Sequence, residues 1–167
     1  MLIRAEQPED EAFVYTINTT AFEQPAEAEL VDALRKQVEP IVSLVAEDED
    51  AVVGHILFSP VAHLRKPKLK IMGLAPMAVL PEYQSSGIGS QLVRAGLEQC
   101  RQLGYVAAVV LGHPHYYPRF GFEPASTFRI DSEYDVPDTY FMAMELQPGA
   151  LKGRGGKVLY HPLFKSV

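Results

Sequence analysis

The chain has a single cysteine, Cys100, so no intrachain disulfide can form. That usage points to a reducing compartment. No apolar run reaches the length a membrane span needs. The opening Met-Leu-Ile-Arg-Ala-Glu-Gln lacks the charged, apolar and small-residue succession of a signal peptide. No membrane partner and a cytoplasmic setting are therefore expected. Basic excess is also missing: the formal net charge is −6, which argues against nucleic acid as the main partner. Arg65-Lys66-Pro67-Lys68-Leu69-Lys70 is a local exception, and its proline between two apolar runs reads as a solvated hairpin loop. No repeat, low-complexity tract or linker interrupts the 167 residues, so a single domain over 1–167 is expected, large enough to bury a core.

Periodicity supplies the elements. Leu2 to Ala5 is a short strand. Pro8 and Glu9-Asp10-Glu11 open a helix, with Phe13, Ile17 and Phe22 on its apolar face. A second helix runs from Ala26 to Gln37, with Leu30, Val31 and Leu34 on one side. The period then changes to strand over Ile41–Ala46 and Ala51–Phe58, joined by the polar turn 47–50. Lys70 to Val79 is the next strand, with a break expected near Gly73 to Pro76. Tyr105 to Leu111 reads as a buried strand lying parallel to it. Strand character returns at 128–132, 140–146 and 156–160. Gly153-Arg154-Gly155-Gly156-Lys157 lies between strands and reads as a hairpin connection, not a phosphate loop.

The most informative stretch joins the strand ending Met77-Ala78-Val79 to a helix starting at Ile88, through Gln84-Ser85-Ser86-Gly87-Ile88-Gly89-Ser90. A helix start leaves backbone N–H groups unsatisfied and carries partial positive charge. Gly87 and Gly89 let a phosphate approach the backbone, and Ser85 and Ser86 offer hydroxyls. A pyrophosphate cradle and a simple packing turn both fit this pattern. No Gly-Lys-Ser/Thr follows and no third glycine is present, so neither a P-loop nor the dinucleotide fingerprint applies.

Gln84-Ser-Ser-Gly87-Ile-Gly89 resembles the Gln/Arg-x-x-Gly-x-Gly/Ala signature of the GNAT family of N-acetyltransferases. Tyr117-Pro-Arg-Phe-Gly121-Phe122 resembles that family's Tyr-x-x-x-Gly-Phe element, and the chain is similar to the YhbS-like branch over nearly its whole length. The resemblance implies an α/β (α+β) fold with a mixed, mostly antiparallel, splayed sheet flanked by helices. It implies acetyl-CoA (CoA) as co-substrate and no metal. The pantetheine would pair with Met77, Ala78 and Val79, and the pyrophosphate would sit on residues 84 to 90. Tyr117 would face the thioester sulfur as general acid, and the Val79 N–H would receive the oxyanion.

The implied reaction is direct attack of a primary amine on the thioester. Cys100 lies on the helix's apolar stripe and reads as a small hydrophobe, not a nucleophile. His55, Glu82 and Glu47 are all open as the base. The roles of His55, His113 and His115 stay open too, and no metal-ligand spacing surrounds the last two. Glu23, Glu27, Glu29, Asp131, Glu133, Asp135 and Asp138 make the family's acceptor-framing segments acidic. That suits a cationic small amine or a peptide N-terminus, and it equally describes a solvated surface. A tail strand edge would allow a homodimer. A non-catalytic acyl-CoA-binding sensor with the same fold is the alternative reading.

Overall fold

A computed structural model describes all residues, 1–167. The chain divides into two compact units. The first holds Met1–Ser59, Ala75–Gln99 and Pro162–Val167, and the second holds Pro60–Leu74 and Cys100–His161. Strand pairing is mixed and mostly antiparallel, as expected from the sequence.

In the first unit, β1 (Leu2–Ala5) pairs antiparallel with β2 (Val42–Asp48), and β2 pairs antiparallel with the first part of β3 (Ala51–His63). Glu49 and Asp50 turn the β2–β3 hairpin with φ of 48° and 66°. Aspartate, as at position 50, accepts left-handed backbone more readily than branched residues do. The first helix begins with a 3-10 turn, Pro8–Asp10, and continues as α1 (Glu11–Phe22). Asp10 fixes that start. Its carboxylate takes two bonds from Arg4, at 2.7 and 3.0 Å, and one from the Gln7 amide at 2.7 Å. The Arg4 guanidinium holds Asp10 below its ordinary carboxylate value. α2 spans Ala26–Gln37, as its apolar spacing requires, and buries Ala28, Leu30, Val31 and Leu34.

α3 covers Ile88–Gln102. Gly96 lies in its interior, where alanine would ordinarily stabilise by about 1 kcal/mol. Here a Cβ would strike the ring of Phe58, which is fully buried. The sign of the substitution therefore reverses. Gly96→Ala should destabilise the protein by about 1–3 kcal/mol in urea unfolding, the usual cost of overpacking. Adding Phe58→Leu should recover part of that loss. A stabilised single variant would contradict this packing.

In the second unit, the first part of β4 (Ile71–Val79) runs parallel to β5 (Ala107–Leu111), with Ile71 opposite Ala107 and Leu74 opposite Val110. β5 pairs antiparallel with β8 (Phe141–Glu145), which also takes the two-residue β6 (Glu123–Pro124). β9 (Gly156–Leu159) pairs with β7 (Ile130–Ser132) in parallel and with Ala62–His63 of β3 antiparallel. The break expected near Gly73 to Pro76 does not occur. Gly73 instead makes room for the buried Tyr160 ring, which a Cβ would meet at 2.7 Å. No helix is long and apolar enough to cross a membrane.

Candidate active site

The turn after β4 is built from its two ends. At the strand end, Ala78 is buried while Met77 and Val79 are half-buried. The Leu80 N–H donates to the Val53 carbonyl at 2.9 Å, which anchors the exit of β4 on β3. At the helix end, Ile88 is buried. A Cβ on Gly54 would meet the side chains of Ile88 and Leu92 at 3.2 Å, so Gly54 lets α3 start close against β3. Between these anchors, Gln84 through Gly87 are exposed, and Gly89 and Ser90 are half-buried.

The backbone here departs from regular geometry at alternate residues. Ser85 has φ of 64° and Gly87 has φ of 88°. Alternating left- and right-handed residues aim successive N–H groups into one concavity, a known anion-binding arrangement. The left-handed region costs Ser85 energy that glycine would not spend, and such strain clusters at ligand sites. The helical ladder of α3 opens with the Gln91 amide on the Gly87 carbonyl at 3.1 Å. The amides of Ile88 and Gly89 lie ahead of that ladder, where an anion can take them. Gln84 closes the turn: its Nε2 donates to the Val79 carbonyl at 2.9 Å. The Ser86 hydroxyl donates to the Tyr83 carbonyl.

Tyr117 belongs to the second unit and begins a 3-10 turn, Tyr117–Phe120, ended by Gly121 at φ 108°. Its ring lies on Gly112, where a Cβ would collide with it. The Gly112 amide donates to the Tyr140 carbonyl at 2.9 Å, holding that seat in place. Tyr116 meets the Tyr117 ring edge-on at 5.1 Å, and Phe122 does so at 5.8 Å. Burial, with Tyr116 adding to it, pushes the Tyr117 phenol up to about 12. It stays protonated across the physiological range. Gly112 is a site residue that the sequence did not single out, since nothing local marks it as the bed of a ring five residues on.

The candidate bases separate clearly. His55 is fully buried. Asn18 Nδ2 lies 3.2 Å from its Nδ1, and Ser43 Oγ lies 2.9 Å from its Nε2. An amide N–H can only donate, so Nδ1 accepts and Nε2 carries the proton. Ser43 Oγ then donates to Glu6 at 3.0 Å, and Glu6 pairs with Arg35 at 2.7 Å. His55 is thus a neutral link in an internal network and has no opening to substrate. Glu47 lies 3.5 Å from the Arg4 guanidinium. Glu82 is exposed beside the turn, as are His113 and His115 on the loop after β5. Burial raises the Cys100 thiol to about 12, which leaves it a hydrophobe. Nowhere do three His, Cys, Asp or Glu side chains converge as a metal site requires.

Burial lowers His55 from near 6.5 to about 3, with Arg35 adding to the effect. The unfolded chain takes up this proton as pH falls through 6.5 while the folded chain refuses it. Stability is therefore present above pH 6.5 and is lost progressively toward pH 3. One such proton sets a slope approaching about 1.4 kcal/mol per pH unit. His55→Gln should flatten the pH dependence of urea unfolding between pH 6 and pH 4 by that one proton. An unchanged slope would show that His55 does not control it.

The acidic segments are partly committed to structure. Glu133 accepts from the Tyr160 amide at 3.2 Å, Asp138 from the Ser126 hydroxyl at 2.9 Å, and Glu27 from Gln24 at 2.9 Å. Asp131 and Asp138 also line a small hollow of about 220 Å3 with Tyr134 and Phe141.

Comparison with known proteins identifies the family. The model of the acetyltransferase (GNAT) family matches residues 11–122. The chain is 39% identical over 165 residues to the uncharacterized N-acetyltransferase YhbS of Escherichia coli strain K12, covering 98% of each chain. The crystal structure of Escherichia coli YhbS in complex with CoA has a TM-score of 0.92 at 37% identity, covering 98% of this chain and 91% of that one. A GNAT family acetyltransferase from Brucella melitensis, solved with acetyl-CoA, has a TM-score of 0.79 at 38% identity, covering 98% and 97%.

Proposed function

The chain belongs to the GNAT acetyltransferase family, and from that premise we propose that it moves an acetyl group from acetyl-CoA to a primary amine by direct attack in a ternary complex. It is an acyl-CoA-dependent acyltransferase by family and by likeness to CoA-bound relatives. Met77, Ala78 and Val79 offer backbone groups to the pantetheine amides, which bind an exposed strand as another strand would. Residues 84 to 90 hold the pyrophosphate. The alternation of Ser85 and Gly87 in left-handed backbone is the observation that supports this most.

The chemistry follows in order. The neutral amine attacks the thioester carbon, and the carbonyl oxygen becomes an oxyanion facing the Val79 N–H. The C–S bond then breaks and the electron pair stays on sulfur. The Tyr117 phenol, kept protonated by burial, meets that sulfur as acid. An ordinary thiol titrates near ~8.5. Full transfer from a phenol at about 12 is uphill, so the hydrogen bond donated to the leaving thiolate carries most of the effect. The ammonium formed at nitrogen loses its proton to water or to a surface carboxylate.

The test is CoA thiol release from acetyl-CoA across a library of primary amines and peptide N-termini. Release with at least one acceptor class is expected. Tight acetyl-CoA binding with no release for any acceptor would instead favour a non-catalytic acyl-CoA sensor.

A further inference from the structure

We propose that the cavity walled by the 64–70 loop, the Arg129 turn and the 149–156 loop is a second ligand site, one that takes a small phosphorylated molecule of nucleotide size. It lies wholly in the second unit and shares no residue with Tyr117 or with the Gly-rich turn. Its volume of about 890 Å3 falls within the range of small-molecule sites.

The charge of the lining favours an anionic ligand. In a chain of net charge −6, Arg65, Lys66, Arg129 and Lys152 all line this one cavity. None of the four makes an ion pair. Two carboxylates also line it. Glu145 is occupied, since its Oε2 accepts the Leu151 amide at 2.8 Å. Asp131 is exposed and leaves the cations in excess. Two arginines offer planar forks suited to phosphate, and two lysines offer point charges.

The walls are clamped together by His63, a side chain 1% exposed. Its Nδ1 accepts the amides of Arg65 at 3.2 Å and Lys66 at 3.0 Å. Its Nε2 therefore carries the proton and donates to the Arg154 carbonyl at 2.8 Å. Glycines let the walls close. A Cβ on Gly156 would meet the His63 ring at 2.8 Å, and one on Gly155 would meet Arg129 at 2.8 Å. The Gly156 amide donates to the Arg129 carbonyl at 3.0 Å. Two basic loops that each look like ordinary solvated connections are thus held face to face by a buried histidine. Phe128, half-buried in the same wall, adds apolar surface on which the organic part of a phosphate ester can rest.

The experiment uses the full chain saturated with CoA, so that the acyl-CoA site is filled. Inorganic pyrophosphate and ADP are titrated by calorimetry into this protein and into Arg129→Gln/Lys152→Gln. Both substituted positions are exposed, so folding should persist, which thermal unfolding checks. One equivalent of each probe should bind the parent. The double variant should weaken both by at least about tenfold, the loss of two charge-assisted hydrogen bonds, with CoA affinity unchanged. Lys68→Gln, a cation outside the lining, should have no effect. Absence of binding by either probe, or an affinity the double variant leaves unaltered, would overturn the proposal. Failure of CoA itself to bind would bear on the proposed acyl transfer and not on this cavity.

Discussion

Tyr117→Phe is expected to lower kcat for acetyl transfer by about 10²-fold or more while leaving acetyl-CoA affinity nearly unchanged. The substitution removes one oxygen and keeps the ring. Its bed on Gly112 and its edge-on contacts with Tyr116 and Phe122 are all made by ring carbons. Ground-state binding therefore has little reason to change. The proposed hydrogen bond to sulfur would form only as the C–S bond breaks, and an interaction made only in the transition state appears in kcat. Because burial pushes this phenol up to about 12, its ionisation should not shape the rate profile below pH 10. Single-turnover kinetics with calorimetry of acetyl-CoA checks both halves. A kcat near that of the parent across the pH range would remove Tyr117 from the chemistry.

Gly87→Asp is expected to weaken CoA binding by about 10²-fold. Gly87 has φ of 88° and open space where a Cβ would stand. No protein atom opposes a side chain there. Two costs remain: strain together with crowding of the phosphate, and charge. Asn and Asp are near-isosteric and tolerate left-handed backbone about equally well, so Gly87→Asn carries the first cost without the second. A carboxylate about 5 Å from a phosphate, at an effective dielectric of about 20, opposes it by about 3 kcal/mol. The asparagine variant should thus bind CoA much more tightly than the aspartate variant. Equal affinities would mean that no anion sits at this turn.

How far the sequence revealed all this depended on whether the signal was local. α2 and α3 were legible because one stripe of apolar residues recurs at helical spacing, and their observed spans match. The strand–turn–helix unit at the proposed cradle was legible for the same reason. β3 was expected to stop near Phe58 and runs on to His63, because its last residues are held by β9, a pairing across nearly a hundred residues. β4 was expected to break near Gly73, yet the glycine serves a ring contributed by Tyr160. His55 was a plausible base on residue type alone. Only the side chains of Asn18 and Ser43, from two other elements, show it sealed and neutral. Arg65–Lys70 reads correctly as a connection, whereas Gly153–Lys157 is no hairpin: Gly156 and Lys157 already belong to β9, which pairs with β7 and β3 and not with β8. Their meeting at His63 is a tertiary fact with no periodic trace.

Titration calorimetry of the purified chain with CoA and with acetyl-CoA decides whether the turn after β4 holds a diphosphate. Saturable heat at one site per chain, abolished or strongly weakened by Gly87→Asp, is the predicted result. A folded protein that gives no heat with either thiol or thioester would contradict it.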